Sequence, residues 1–188
     1  MQQNNPIMSY HTSKKLPYGV SNFITIVEQN NYYVDKTMYI PMLEDEASNL
    51  FFIRPRRFGK SLFLGMLHAY YDCRTKDKFE QWFGKLWIGQ HPTPNQGRYQ
   101  VLHLDFSQVG GKIENLEENF DFYLGINLDG FVRDYAEYYS EETRKKVYET
   151  TYAGGKLAII QNEARTKNYP LYLIIDEYDN FTNTVLNE

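Results

Sequence analysis

The stretch Arg54-Pro55-Arg56-Arg57-Phe58-Gly59-Lys60-Ser61, followed by Leu62, carries most of the information about how this chain folds. It ends in the Gly-Lys-Ser of the phosphate-loop pattern G-x-x-x-x-G-K-[ST], whereas Arg54 stands where that pattern has its first glycine. A glycine at position 59 lets successive backbone amides curl toward an anion. Lys60 can reach the β- and γ-phosphates of a nucleotide, and the Ser61 hydroxyl is a suitable ligand for Mg²⁺. We therefore predict nucleotide binding at residues 54–62.

The sequence on either side of this stretch supplies the context that a phosphate loop needs. Residues 50–53 are continuously apolar, as in a strand that is covered on both faces. From Lys60 onward, apolar residues recur at helical spacing and fill much of the helix surface. Such a helix presents free amides and the positive end of its dipole to phosphates. Because Gly-Lys-Ser also occurs by chance, a basic strand-to-helix turn that binds nothing is the alternative.

A second apolar strand is predicted at residues 171–175, and it ends in Asp176 and Glu177. In open α/β folds, ligands bind at the carboxyl edge of the parallel strands. At that edge Asp176 would hold Mg²⁺ together with Ser61, and Glu177 would act as the catalytic base that polarises water. The alternative is a strand that ends in two carboxylates only because it meets solvent there.

The order of the predicted elements indicates an α/β fold, with a parallel sheet flanked by helices. Further strands are predicted at residues 23–27, 32–34 and 101–106, the last of them near a sheet edge. Asp35 is a candidate cap for a helix that runs to Leu43. Other helices are predicted at residues 77–83, 116–138, 141–149 and 156–167, with a break at Gly154-Gly155.

The composition of the 188-residue chain is that of an ordinary globular protein, with 42% hydrophobic and 23% charged residues. A formal charge of −4 argues against a general attraction to nucleic acid or to anionic membranes. The local cluster of Arg54, Arg56, Arg57 and Lys60 suggests a discrete anion site, and a solvated basic turn is the alternative. Residues 1–15 are polar and are predicted to be a disordered or frayed lead-in. The lack of an apolar signal segment and the single Cys73, predicted to be a buried structural thiol, favour a cytoplasmic protein.

Several other residues are weaker candidates for the site. Arg56 and Arg57 either add phosphate contacts, face a partner or are solvated. Asp179 fits loop solvation better than metal binding. Lys36 follows Asp35, which has its own helix-capping interpretation. The four histidines show no metal-ligand spacing and are interpreted as surface or hydrogen-bonded core residues: His11, His68, His91 and His103.

The chain resembles the bacterial AAA-ATPase-like proteins whose phosphate loop reads R-P-R-R-F-G-K-S. The resemblance includes the D-E-Y-D run at residues 176–179 and the segments at residues 16–23 and 33–37. It implies that Arg54 is compatible with phosphate binding, that Lys36 lines the base side of the pocket, and that residues 16–188 are the N-terminal part of an AAA-like P-loop domain. It also implies a later strand with a sensor residue after residue 188, so we expect a fold that is incomplete at its C-terminus. The gap would be filled by domain swapping, by rearranged strand pairing or by self-association with a neighbouring copy.

Three functions follow from these observations as hypotheses. The first is Mg²⁺-dependent ATP binding with hydrolysis, and the second is a nucleotide-gated switch or assembly module with little turnover. The third is a nucleic-acid-processing component, because proteins of the resembled family often carry a PD-(D/E)xK-type nuclease domain. The acidic net charge makes this third function, which requires binding to nucleic acid, the weakest of the three.

Overall fold

Two parallel strands form the sheet in the part of the chain that the structure describes. The computed structural model describes residues 14–46, 49–53, 55 and 57–179. Strand β1 (Gln100–Asp105) pairs with strand β2 (Leu171–Asp176) in parallel register, from Gln100 opposite Leu171 to Asp105 opposite Asp176. Both strands therefore end at the same edge, and each ends in an aspartate.

Eight α-helices surround this pair in the described ranges. In chain order they are α1 (Phe23–Glu28), α2 (Tyr39–Asp45), α3 (Lys60–Tyr71), α4 (Phe79–Phe83), α5 (Trp87–Gln90), α6 (Leu116–Asp134), α7 (Glu141–Glu149) and α8 (Ala153–Thr166). Short 3₁₀ turns join several of them, at Cys73–Lys78, Phe106–Gln108, Ile113–Asn115 and Ala136–Tyr138.

The sheet separates two hydrophobic clusters, one on each face. Val101 and Ile174 pack with buried residues of α1, α3, α4 and α5. Leu102 and Leu104 pack instead with buried residues of α6, α7 and α8. This alternation is what a strand covered on both faces produces, because successive side chains point to opposite sides. The molecule is thus a mixed helix and strand protein with a parallel sheet, in agreement with the predicted α/β class.

Several predicted elements are confirmed. Both strands of the sheet lie where the sequence predicts strands, and α3 begins at Lys60, the first residue of the predicted helix. Helix α7 has the predicted bounds, and α6 ends at Asp134, shortly before the predicted residue 138. Only the second part of the helix predicted at residues 77–83 is α-helical, because a 3₁₀ turn occupies Cys73–Lys78.

The strand predicted at residues 23–27 was wrong, because these residues form α1. The Asn22 side chain accepts a hydrogen bond from the Thr25 amide at 2.9 Å, which is an N-terminal helix cap. Phe23 and Ile26 are both 1% exposed, and their spacing of three places them on one helical face toward the core. Here tertiary burial overrides the β-propensity of the branched residues.

The strands predicted at residues 32–34 and 50–53 were also wrong. Neither segment pairs with another strand in the described part of the chain. Without a neighbouring strand, an apolar segment cannot form the backbone hydrogen bonds of a sheet. Phe51 and Ile53 are each 80% exposed, while Phe52 stacks on Phe63 of α3 with ring centroids 4.8 Å apart. Residues 50–53 are apolar, but only some of their side chains are covered by the rest of the described structure.

The break predicted at Gly154-Gly155 was wrong as well, since both glycines lie in the first turn of α8. A substitute side chain at Gly155 would come within 2.6 Å of the Tyr152 ring, so close packing explains the glycine there. Asp35 does not cap α2, whose N-cap is Met38. Its carboxylate accepts hydrogen bonds from the Thr37 amide at 2.8 Å and from the Trp87 amide at 2.7 Å, which joins this loop to α5.

Two further expectations concern membrane-spanning helices and the burial of Cys73. Among the described helices, none has both the length and the apolar character that crossing a bilayer requires. Cys73 is buried, and burial raises the pKa of its thiol, in keeping with a structural role. His11 and most of the lead-in predicted at residues 1–15 lie outside the described residues.

Candidate phosphate and carboxylate site

The start of α3 is built around Gly59. Its φ angle of +78° lies in the left-handed region, which glycine adopts without a steric penalty. The Gly59 carbonyl accepts a hydrogen bond from the Phe63 amide at 3.0 Å and so begins the helix. The preceding turn is closed by the Phe58 amide, which donates to the Pro55 carbonyl at 3.3 Å. A helix leaves the amides of its first turn without intrahelical partners, and the first residue of this 12-residue helix, Lys60, contacts Asp176 at the end of β2.

Residues that are far apart in the sequence meet at that edge. The Lys60 ammonium lies 3.0 Å from Oδ1 of Asp176 and 3.4 Å from Oε1 of Glu177. The Ser61 side chain lies close enough to the Asp176 carboxylate to help lower its pKa. The structure thus brings together the end of the phosphate loop and the carboxylates that follow β2.

The charges of this cluster stabilise one another. Burial alone raises the pKa of Asp176, but hydrogen bonds from Ser61, Lys60 and the Glu177 amide outweigh it, so the pKa is lowered. Burial likewise lowers the pKa of Lys60, and the contacts with Asp176 and Glu177 outweigh that effect and raise it. Both groups are therefore charged at neutral pH, as an ion pair beside the helix N-terminus.

Glu177 has an unusual backbone conformation. Its φ angle is +53°, and its amide donates to Oδ1 of Asp176 at 2.9 Å. A non-glycine residue in the left-handed region carries strain, and such positions are enriched at functional sites. The Glu177 side chain is 42% exposed and so is accessible to water, whereas that of Asp176 is 8% exposed. The two neighbouring carboxylates thus occupy different environments.

The oxygen atoms of Ser61 and Asp176 fit a magnesium ion in chemical type. Mg²⁺ prefers hard oxygen ligands and is usually held by one or two protein groups, waters and substrate phosphates. A hydroxyl that lies close enough to a carboxylate to lower its pKa forms, with that carboxylate, a donor set of this kind. Within the described ranges, no three or more His, Cys, Asp and Glu side chains are grouped so that they could hold a metal ion by themselves.

The other predicted site residues lie around this centre or outside the description. Arg54 and Arg56 lie outside the described residues. Pro55, Arg57 and Phe58 are exposed, and Arg57 has a φ angle of +67°. Leu62 is partly buried against the cluster of α1 and α3. Asp179 is exposed.

The three histidines in the described part of the chain contact other side chains. Nδ1 of His68 on α3 lies 3.4 Å from Nδ1 of His103 on β1, and Nε2 of His68 lies 3.3 Å from Asp72. His91 stacks on Trp87 with ring centroids 4.3 Å apart. These contacts agree with the prediction of surface and hydrogen-bonded core histidines.

Tyr178, for which the sequence pattern predicted no separate role, lies next to the ion pair of Lys60 and Asp176. Its ring centroid is 5.8 Å from the Lys60 ammonium, within the range of a cation–π interaction. The Tyr178 and Phe51 rings meet edge-on, with their centroids 6.1 Å apart. The position of Tyr178 directly after Asp176 and Glu177 was the sequence signal that could have indicated a place near the site. The contact with Phe51 depends on tertiary structure and has no signature in the sequence.

Comparison with known proteins adds the family. The model of a family described as predicted AAA-ATPase matches residues 17–188. The chain belongs to this family. Membership of the predicted AAA-ATPases suggests ATP binding as the general function and agrees with the mixed helix and strand architecture.

One curated relative of this AAA-ATPase-like chain is an uncharacterized protein in the vnfD 5' region of Azotobacter chroococcum mcd 1. It is 51% identical over 119 residues, which cover 60% of this chain and 22% of that protein. The matched region therefore spans about a fifth of the relative's length. No solved structure matches the chain.

Proposed function

We propose that this chain binds Mg-ATP at the edge formed by α3 and β2 and hydrolyses it. The observation that carries the proposal is the convergence of Lys60, Ser61 and Asp176, which come from two segments more than a hundred residues apart in the sequence. The alternative, a basic strand-to-helix turn that binds nothing, does not require a hydroxyl, an ammonium and a carboxylate to lie close together. The match to a predicted AAA-ATPase family supports the same function.

Each residue has a distinct role in this proposal. The amides around Gly59 and the Lys60 ammonium bind the β- and γ-phosphates, which requires the ammonium to leave Asp176. Ser61 and Asp176 hold Mg²⁺, and when bound the ion supplies positive charge that offsets the phosphate oxygens. Glu177, which is more exposed, orients the attacking water and accepts its proton.

The proposal is tested by measuring Mg-ATP binding and phosphate release in the same set of proteins. We expect Lys60→Ala to weaken binding by about 10- to 100-fold, because charge-assisted hydrogen bonds contribute roughly 1.5–3 kcal/mol. We expect Glu177→Gln to keep binding within about threefold while phosphate release falls by roughly 10²- to 10⁴-fold, the usual contribution of a general base.

Two substitutions elsewhere serve as controls. Lys112→Ala and Glu114→Gln make the same chemical changes at exposed positions of the loop before α6, and neither alters binding or turnover in this proposal. Equal ATP affinity in Lys60→Ala and the Lys112→Ala control would remove Lys60 from the site. Equal turnover in Glu177→Gln and the unaltered chain would remove Glu177 as the base.

A second candidate is a nucleotide-gated switch with little turnover. It is favoured by the contact of Lys60 with Glu177, since a base engaged in an ion pair is not free to orient water. In that case Mg-ATP raises the melting temperature by mass action, while no phosphate is released over many hours. Turnover that disappears in Glu177→Gln would instead support the hydrolase.

A further inference from the structure

Two histidines from different elements meet between helix α3 and strand β1. Nδ1 of His68, in the last turn of α3, lies 3.4 Å from Nδ1 of His103, in the middle of β1. The ring centroids are 5.6 Å apart, and the ring planes are tilted by 52°. Typical hydrogen bonds of protein N–H groups are shorter, at roughly 2.7–3.2 Å, so a direct bond between the two rings is weak.

A buried carboxylate sets the protonation of the His68 ring. Nε2 of His68 lies 3.3 Å from Oδ2 of Asp72, which is also bound by the Arg74 guanidinium. Hydrogen bonds from His68 and Arg74 lower the pKa of Asp72 to about 2, so at neutral pH its carboxylate is ionised and only accepts. In the neutral ring Nε2 therefore carries the proton, and the lone pair is on Nδ1, which faces His103. Carboxylates orient metal-binding histidines in this way.

The surroundings of His103 keep its ring neutral and also supply negative charge. Burial and the neighbouring His68 lower the pKa of His103, and neutral imidazole is the form that binds metal ions. Asp176 and Asp105 act in the opposite direction on this pKa, because their carboxylates favour positive charge at the ring. The same carboxylates would attract a cation bound between the two histidines.

The spacing of the two ring nitrogens suits a tetrahedral transition-metal ion. Zn²⁺ binds imidazole nitrogens at roughly 2.0–2.1 Å, and tetrahedral angles then place two such nitrogens about 3.3–3.4 Å apart. The observed separation of the Nδ1 atoms is 3.4 Å. Rotation about the last side-chain torsion of histidine is easy, so both lone pairs can turn toward one ion. The His68 side chain is 29% exposed, which gives water and the ion access to the pair.

We propose that His68 and His103 bind a divalent transition-metal ion, with Zn²⁺ as the best match and with water in the remaining coordination positions. The ion differs in kind from the proposed magnesium, because imidazole suits zinc, copper and nickel, whereas Mg²⁺ requires oxygen ligands. No third protein ligand completes the pair in the described ranges, so we expect weaker binding than at a structural zinc site with four protein ligands. The bound ion would join the last turn of α3 to β1, and its binding requires no nucleotide.

The test is a calorimetric titration of the chain with zinc chloride, in excess Mg²⁺ so that sites with oxygen ligands are already occupied. We expect His68→Gln and His103→Gln each to weaken Zn²⁺ binding by at least about tenfold. Even the loss of a group that only orients a metal-binding histidine costs about 10- to 100-fold in metal affinity. Zn²⁺ should also raise the melting temperature of the unaltered chain by mass action, and this rise should disappear in both variants.

His91→Gln is the matched control, because His91 is an exposed histidine that stacks on Trp87, and it should leave Zn²⁺ affinity unchanged. Imidazole NMR signals of the unaltered chain give a second measurement that does not depend on the folding of a variant. Zn²⁺ should shift the signals of His68 and His103 first. The proposal is overturned if the unaltered chain does not bind Zn²⁺, if binding persists in both variants, or if only His11 and His91 shift.

Discussion

At the scale of single residues, two glycines near the start of α3 have opposite roles. Gly59 has a φ angle of +78°, whereas Gly65 lies inside the helix. A Cβ atom on Gly65 would meet the Phe23 backbone and Cβ at 3.9–4.0 Å, which is ordinary van der Waals contact. The first glycine is therefore required by backbone geometry, and the second is not.

This difference predicts effects of opposite sign on the free energy of unfolding. Gly59→Ala should destabilise the protein by about 1–2 kcal/mol, the strain of a left-handed alanine. Gly65→Ala should stabilise it by roughly 0.5–1 kcal/mol, since alanine loses less backbone entropy in a helix. Urea denaturation followed by circular dichroism measures both. Effects of the same sign in the two variants would contradict this account of the loop.

Much of the candidate site could be predicted from residue types. Gly59, Lys60 and Ser61 follow from a local pattern, and Asp176 from its place at the end of an apolar strand. The ion pair between Lys60 and Asp176 and the positive φ angle of Glu177 could not be predicted in this way. Both depend on how α3 and β2 approach each other, and no short segment encodes that distance.

At the scale of elements, the end of α3 is stabilised by a buried aspartate. Asp72 is 1% exposed, and it accepts hydrogen bonds from the Arg74 amide at 2.9 Å and from the Arg74 guanidinium at 2.9 Å. Burial raises the pKa of Asp72, but the hydrogen bonds from His68 and Arg74 outweigh it and lower the pKa from 3.8 to about 2. The Arg74 guanidinium in turn lies over the Tyr135 ring, 4.1 Å from its centroid.

The depressed pKa of Asp72 predicts a loss of stability in acid. A carboxylate whose pKa is lower in the folded state contributes fully above its unfolded pKa, near 3.8, and the contribution is lost as the pH falls toward about 2. We expect this group to account for about 2 kcal/mol of unfolding free energy between pH 5 and pH 2. Urea denaturation at several pH values measures the slope.

Two variants separate Asp72 from the other carboxylates in that experiment. Asp72→Asn should flatten the pH dependence between pH 5 and pH 2, and Asp77→Asn should not, because the Asp77 side chain is 69% exposed. A slope that is unchanged in Asp72→Asn would show that other carboxylates account for the acid sensitivity.

The elements also show which sequence signals were reliable. Helix α3 and strands β1 and β2 were predictable because each has a continuous or periodic apolar pattern. Helix α1 was not, since five branched or aromatic residues in sequence favour a strand by propensity. Its better signal was Asn22, whose side chain caps the helix.

At the scale of the whole molecule, strand β2 is not covered uniformly. Ile174 is 3% exposed, whereas its neighbour Leu173 is 55% exposed, although the apolar sequence predicted burial on both faces. In the described part of the chain, β1 is the partner of β2 on one edge, and no strand occupies the other. A further strand or a second copy of the chain that covers Leu173 is a proposal consistent with the expected self-association.

This asymmetry gives a prediction for the isolated chain. Ile174→Ala should lower the free energy of unfolding by about 2–5 kcal/mol, as for other buried aliphatic residues, and Leu173→Ala by less than about 1 kcal/mol. Urea denaturation at low protein concentration measures the pair. A large effect of Leu173→Ala that grows with protein concentration would show that association buries Leu173. Comparable effects that do not depend on concentration would contradict the observed exposure.

The ion pair at the start of α3 has a consequence for what the site can select. Lys60 acts as a built-in counter-ion for Asp176 and Glu177. A free anion that attracted the ammonium would leave two carboxylates uncompensated, and a free divalent cation would have to compete with an ammonium that is already in place. A ligand that carries both signs of charge lets every group exchange partners at once. Under the proposed function, we therefore expect the site to favour a nucleotide together with its metal over either of them alone.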